Sequence, residues 1–153
     1  MAECPLRQHI PHSRTCEQLR PPCQDGNHRG AFDRRFGLLG HALEMAKASN
    51  VSIEINSKDV PILDGAIDMA NMGIIPAGMY RNKEYISRDV NIIDVDTAIE
   101  DILYDPQTSG GLLISVKEEL ADKLVEDMKL NGSIEAKIIG SVKKKEEKYM
   151  TVI

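Results

Sequence analysis

The sequence predicts an α+β fold, layered as α/β proteins are, in which a mixed β-sheet is covered by packed helices. Three observations carry this expectation. Residues 36–48 repeat apolar side chains at helical spacing, and Val51-Ser52-Ile53-Glu54-Ile55 alternates with a period of two. The same two periods recur to the end of the chain, with helical stretches between strand-like ones. Apolar residues make up 42% of the 153 residues and charged ones 28%, the balance of a globular domain rather than a disordered chain. Aromatics are only 4% and Trp is absent, so aliphatic side chains must build the core.

Composition divides the chain. Residues 1–35 hold six Arg and no Lys, all three Cys, three of the four His and four of the seven Pro. Six bases there face four acids, whereas residues 36–153 carry thirteen bases and twenty acids. Residues 1–35 are therefore read as an atypical segment, disordered or foreign to the body, and residues 36–153 as the folded domain. Pro5, Pro11, Pro21 and Pro22 interrupt any longer helix. Cys4, His9, His12, Cys16, Cys23 and His28 could ligate a metal, but they do not fall at the paired spacings of structural zinc sites. The acidic body lacks the clustered basic footprint of a nucleic-acid binder. No apolar run reaches the ~18 residues of a membrane span, and residues 1–30 lack the apolar centre of a signal peptide, so a cytoplasmic protein is expected.

Taken in order, the body opens with a helix whose stripe is Leu38, Leu39, Ala42, Leu43, Met45 and Ala46, closed by Ser49-Asn50. Gly37 and Gly40 in its first turns each cost helix stability, which suggests close packing or an approaching ligand. His41 on this helix is read as structural or solvated. The strand 51–55 follows, then a turn at Ser57-Lys58-Asp59. Pro61 is expected to begin a second helix through Ile62, Leu63, Ala66, Ile67, Met69 and Ala70, stopped by Gly73. Met69, Met72 and Met79 read as core filler.

Residues 79–88 read as a short exposed polar helix or loop, with Arg81 and Arg88 solvated. Residues 90–95 read as a linking strand, and Asp96 as the cap of a helix running to Tyr104. Pro106 cannot continue that helix. The stretch from Asp105 to Gly111 is accordingly a polar, glycine-ended loop, and Leu112–Val116 is expected to leave it as a strand. A helix from Lys117 with Leu120, Leu124, Val125 and Met128 on its inner face ends at Asn131-Gly132. Ile134, Ala136, Ile138 and Gly140 alternate as a strand, Lys143–Lys148 reads as a hairpin tip, and Tyr149–Ile153 as the closing strand.

Two long strings, Phe36-Gly37-Leu38-Leu39-Gly40-His41-Ala42-Leu43-Glu44-Met45 and Asp105-Pro106-Gln107-Thr108-Ser109-Gly110-Gly111-Leu112-Leu113, resemble the selenophosphate synthetase (selenide, water dikinase) family. The segment Pro76-Ala77-Gly78-Met79-Tyr80-Arg81-Asn82 is similar to that family too. The resemblance covers residues 36–153 and implies the family's C-terminal domain, shared in fold with aminoimidazole ribonucleotide synthetase and partly ferredoxin-like in topology. It implies a reaction in which ATP, selenide and water give selenophosphate, AMP and phosphate, with Mg2+ as cofactor. It further implies that Gly37, Gly40, Gln107, Thr108, Ser109, Gly110 and Gly111 lie near the nucleotide or at a domain interface.

The family's glycine-rich loop, its Cys or selenocysteine and its Lys belong to an N-terminal ATP-binding domain, which has no counterpart in residues 1–35. That domain is the partner the resemblance implies. No residue of the body is assigned as catalytic, and neither ATP nor Mg2+ is expected to bind tightly to this chain alone. The family's one C-terminal metal-binding Asp lies in Asp-Val-Thr-Gly, directly before the first string. Phe32-Asp33-Arg34-Arg35 stands there instead, which makes Asp33, one position displaced, the candidate metal ligand. A non-catalytic binding or dimerising module of the same fold, as a homodimer, and a related ATP-dependent synthetase or kinase are the alternatives.

Overall fold

A computed structural model describes residues 36–107 and 111–153. The helix of the first string, α1 (Gly37–Ser49), buries Leu39, Ala42, Leu43 and Ala46, a stripe at spacings of three and four. Asn50 closes it in the left-handed conformation, its N–H turned back to the carbonyls of Ala46 and Lys47. Strand β1 (Val51–Ile55) follows at once. Next come α2 (Ala66–Asn71), α3 (Ala77–Ile86), β2 (Val90–Ile92), α4 (Thr97–Leu103), α5 (Glu118–Leu130), β3 (Gly140–Lys144) and β4 (Met150–Val152). The mixed sheet with packed helices is the α+β architecture that the sequence predicts.

The sheet runs β2-β4-β1-β3. Strand β1 pairs antiparallel with β3 and parallel with β4, and β4 pairs parallel with β2. The closing strand is therefore central, and the expected hairpin between β3 and β4 does not form, because β1 lies between them. Ser52 explains the geometry of that link. Its buried hydroxyl accepts from the Glu146 N–H at 2.8 Å and donates to the Lys148 carbonyl at 2.7 Å. These bonds fasten the connection across β1, where a tight turn would have closed a hairpin. At the other end of the sheet Ser57 donates from both its N–H and its hydroxyl to the Ile153 carbonyl, each at 2.8 Å.

Helix α1 packs on β1 and β4, with α3 and α4 against it and α2 against α4. Leu39, Leu43, Ile55, Met79, Ile86, Leu103, Tyr104, Met150 and Val152 form the centre of the core. Each such aliphatic side chain contributes about 1.5–3 kcal/mol on leaving water.

Several expected elements differ. Helix α2 starts at Ala66, since Gly65 takes a φ of +78° and the right-handed helix cannot pass through it. None of its residues is buried, and Met69 and Met72 are exposed, so only Met79 of the three methionines fills the core. Residues 79–86 form a regular helix with Met79, Asn82 and Ile86 buried, rather than an exposed polar segment. Leu112–Val116 pairs with no strand among the described residues: β4 and β1 each have two neighbours, and this segment lies along neither of the sheet edges, β2 and β3. The strand expected from Ile134 starts only at Gly140, where pairing with Ile55 of β1 sets the register. Helix α5 runs over the expected residues and ends at Asn131, but its stripe is only partly covered: Leu124, Val125 and Met128 are half-buried and Leu120 is exposed.

One glycine decides how α1 enters the body. Gly37 has a φ of +68°, and a Cβ there would lie 2.7 Å from the Tyr104 carbonyl carbon and 2.9 Å from the Leu103 and Asp105 oxygens. Gly37→Ala should therefore cost about 2–4 kcal/mol in denaturant unfolding. Gly132→Ala, at a φ of +96° in open space, should cost about 1–2 kcal/mol, from backbone strain alone.

Candidate functional site

Three sequence stretches meet at the C-terminal end of α4. From the first comes Gly37, pressed against the Leu103–Asp105 backbone. From the second comes Gly78 near the start of α3. A Cβ on it would fall 2.7 Å from Pro106 Cγ, so the proline ring lies directly on the helix backbone. Asn82, one turn further along α3, is buried and donates from Nδ2 to the Tyr104 carbonyl at 2.9 Å. The third stretch is Tyr104-Asp105-Pro106, which the other two clamp. The polar loop thus leaves from a fixed point.

Helix α4 reaches that point by local chemistry. Asp96 caps its start, accepting the Ala98 N–H at 2.9 Å. Its end is tied by the Asp105 N–H bonding back to the Ile102 carbonyl at 3.0 Å. Lys83 of α3 bridges Glu100 at 3.0 Å and Asp101 at 3.1 Å, locking the two helices together, with its ammonium 5.8 Å from the centre of the Tyr104 ring. Burial lowers the Lys83 pKa, but the hydrogen bonds to Glu100 and Asp101 and their charges outweigh it, and the net shift is upward. Tyr104 is 1% exposed, and burial first, then the Glu100 charge, pushes its hydroxyl up to about 12.

Asp105 is the unusual member. Its Oδ1 is the one buried side-chain oxygen without a hydrogen-bond partner among the described residues. Burial pushes its carboxyl above the usual value. An orphaned buried acceptor is costly for a fold to keep. Here it stands at the root of a stretch rich in donors.

The remaining candidates are placed as follows. Gly40 is buried under Phe36, whose ring stacks on Tyr85 at 5.5 Å between centroids. Gln107 is exposed, and Gly111 is exposed with open space around its Cα. Thr108, Ser109, Gly110 and Asp33 lie outside the described residues. His41 is half-exposed, 3.4 Å from Glu44 on the same helix. Arg81 and Arg88 are exposed. Among the described residues no three His, Cys, Asp or Glu are grouped to hold a metal ion. No helix among them is long and apolar enough to cross a membrane. Sequence reasoning missed Asn82. The available signal was a polar residue three after Met79 and four before Ile86, in the middle of an apolar stripe.

The site and fold define a class. Residues 35–153 match the family described as AIR synthase related protein, C-terminal domain, and the chain belongs to that family. Within it, the chain is 73% identical over 119 residues to the selenide, water dikinase of Clostridioides difficile, covering 77% of this chain and 34% of that protein. It is 59% identical over 118 residues to selenide, water dikinase 2 of Peptoclostridium acidaminophilum, with the same two coverages. The corresponding protein of Caldanaerobacter subterraneus is 48% identical over 112 residues, covering 73% of this chain and 33% of that relative. The resemblance carried by the two strings therefore holds, and the chain spans about a third of the length of the curated relatives it matches.

The raised Asp105 carboxyl gives a signed expectation. Unfolded, the group ionises near 3.8; folded, it ionises at higher pH. Its ionised form thus costs stability above the folded pKa, and the cost disappears as pH falls towards the unfolded value. Asp105→Asn should raise the melting temperature at pH 7, with the gain shrinking towards pH 4. An equal gain at both pH values would show that ionisation is not its source.

Proposed function

We propose that this chain acts as the C-terminal domain of a selenophosphate-forming dikinase, which converts ATP, selenide and water into selenophosphate, AMP and phosphate. The observation that carries the reading is the convergence of the three family-like stretches on Tyr104-Asp105-Pro106. The names of the relatives support the same reading. ATP and its Mg2+ are held chiefly by a separate ATP-binding portion, corresponding to the part of the relatives that this chain does not match. Phosphoryl transfer rests on positioning and on neutralising phosphate charge. This chain contributes to the positioning.

In this reading the rigid base formed by Gly37, Gly78 and Asn82 sets where residues 105–111 present their polar groups. Gln107, Thr108, Ser109 and the backbone of Gly110 and Gly111 face the nucleotide or the boundary with the ATP-binding portion. Asp105, reluctant to ionise, accepts a donor from that assembly. The chain alone is inactive, and the protein is cytoplasmic.

A chimera tests this reading. Residues 36–153 replace the matching third of the Clostridioides difficile relative, and selenophosphate is followed by phosphorus NMR. The expected outcome is selenophosphate formation by the chimera and none by the present chain, which should also give no heat with ATP and Mg2+ in calorimetry. A folded chimera that releases no selenophosphate overturns the function. Clear ATP binding by the present chain overturns the placement of the nucleotide site elsewhere.

A further inference from the structure

Asn131-Gly132, at the C-terminal end of α5, sets a side-chain amide beside a backbone nitrogen that no side chain shields. A bond from that nitrogen to Asn131 Cγ would close a five-membered ring, and glycine has no Cβ to obstruct the approach. Residues 129–135 are all exposed. Gly132 has a φ of +96°, and a Cβ built on it would meet nothing within 4 Å. Asn131 is also the one asparagine of the chain that glycine follows. The other asparagines of the body are placed differently. Asn50 and Asn91 precede Val51 and Ile92, branched residues in β1 and β2. Asn56 precedes Ser57, whose N–H is held by the Ile153 carbonyl at 2.8 Å. Asn71 and Asn82 lie in α2 and α3 and precede Met72 and Lys83.

In the closed helix end both reacting groups are engaged elsewhere. Asn131 Nδ2 donates to the Asp127 carbonyl at 2.7 Å, and the Gly132 N–H donates to the Lys129 carbonyl at 3.1 Å. The Ser133 N–H closes the turn on the Met128 carbonyl at 2.9 Å. Helix ends fray at little cost, and α5 buries none of its residues. Opening the last turn releases the amide and the nitrogen together.

We infer that Asn131 is a site of spontaneous chemical modification, gated by the last turn of α5. The Gly132 nitrogen adds to Asn131 Cγ and gives up its proton to hydroxide. The Cγ–Nδ2 bond breaks, and ammonia leaves. Water opens the resulting cyclic imide at either of its carbonyl carbons, giving aspartate or isoaspartate. The net change is amide and water to carboxylate and ammonium, with no oxidant and no second substrate. The product places a negative charge at the negative end of the helix and loses the bond from Nδ2 to Asp127. A modified end closes less well, and the change runs one way. This inference stands on α5 alone and is independent of the proposed function.

The test follows each asparagine of the full chain by peptide mass spectrometry during incubation at pH 8.5, in buffer and in urea. The readout is the mass gained when an amide nitrogen is exchanged for oxygen. Methyl transfer from labelled S-adenosylmethionine by an isoaspartyl methyltransferase reads the isomerised product. In buffer, Asn131 should convert at least tenfold faster than Asn50, Asn56 or Asn91. Urea should raise its rate at least threefold, because the gate is then open. Gly132→Ala should slow conversion at least tenfold in urea, where native backbone strain plays no part. Asn131→Asp, which carries the charge of the product, should lower the melting temperature. Conversion at Asn131 no faster than at Asn50 overturns the site, and equal rates in buffer and urea overturn the gate. Equal rates for the wild type and Gly132→Ala in urea overturn attack by the Gly132 nitrogen. A melting temperature unmoved by Asn131→Asp overturns the weakening of the helix end.

Discussion

The arrangement depends on one contact that excludes a methyl group. Gly37 at the entry to α1 meets the backbone of Leu103, Tyr104 and Asp105 at the exit of α4. Two chain segments separated by more than sixty residues approach there at backbone distance. No other residue type offers both the positive φ and the missing Cβ. Helix α1 carries the stripe that covers β1 and β4, and α4 carries the root of the polar loop. The same contact therefore orients the core and locates the candidate site.

Around that contact the structure places polar interactions where apolar packing would leave register undefined. Asn82 holds the Tyr104 carbonyl, and Lys83 holds Glu100 and Asp101. Across the sheet, Ser52 ties the connection between β3 and β4 to the strand that separates them. Each of these side chains joins an element to one distant in sequence, and the net contribution of such a bond is about 1 kcal/mol. Their value lies in direction. Apolar contacts can slide, whereas a buried amide or hydroxyl is satisfied in one geometry. Asp105 is the exception, a buried acceptor without a donor among the described residues. A fold that satisfies Ser52, Ser57 and Asn82 yet leaves Asp105 unmet keeps its imbalance at the root of the loop.

The family assignment and the physical reading meet at this point without replacing each other. Membership in the AIR synthase related family rests on the match over residues 35–153. The physical reading explains why the matching strings look as they do. Gly37 and Gly78 permit close backbone approach, Pro106 terminates α4 and seats on α3, and Asn82 fixes the carbonyl before the loop. Gln107 and Gly111 are exposed, which suits groups that face a partner or ligand.

Local order in the sequence determined α1, β1, the Asp96 cap and the end of α5 at Asn131. Each is decided by contacts within a few residues or by a single buried face. It determined as well that the two glycine-bearing strings belong together, though not how they touch. Tertiary structure decided the rest. Leu112–Val116 has the apolar run of a strand but lies along neither edge of the sheet, and Lys143–Lys148 has the polarity of a hairpin tip but is drawn across β1 by Ser52. Met69 and Met72 have the character of core residues but lie exposed on and just after α2, a helix that Gly65 starts late and that buries none of its residues. Strand pairing and burial are properties of what lies opposite, and a single chain read in order does not state what lies opposite. Periodicity tells which face a segment would bury; only the packed neighbours decide whether that face is met.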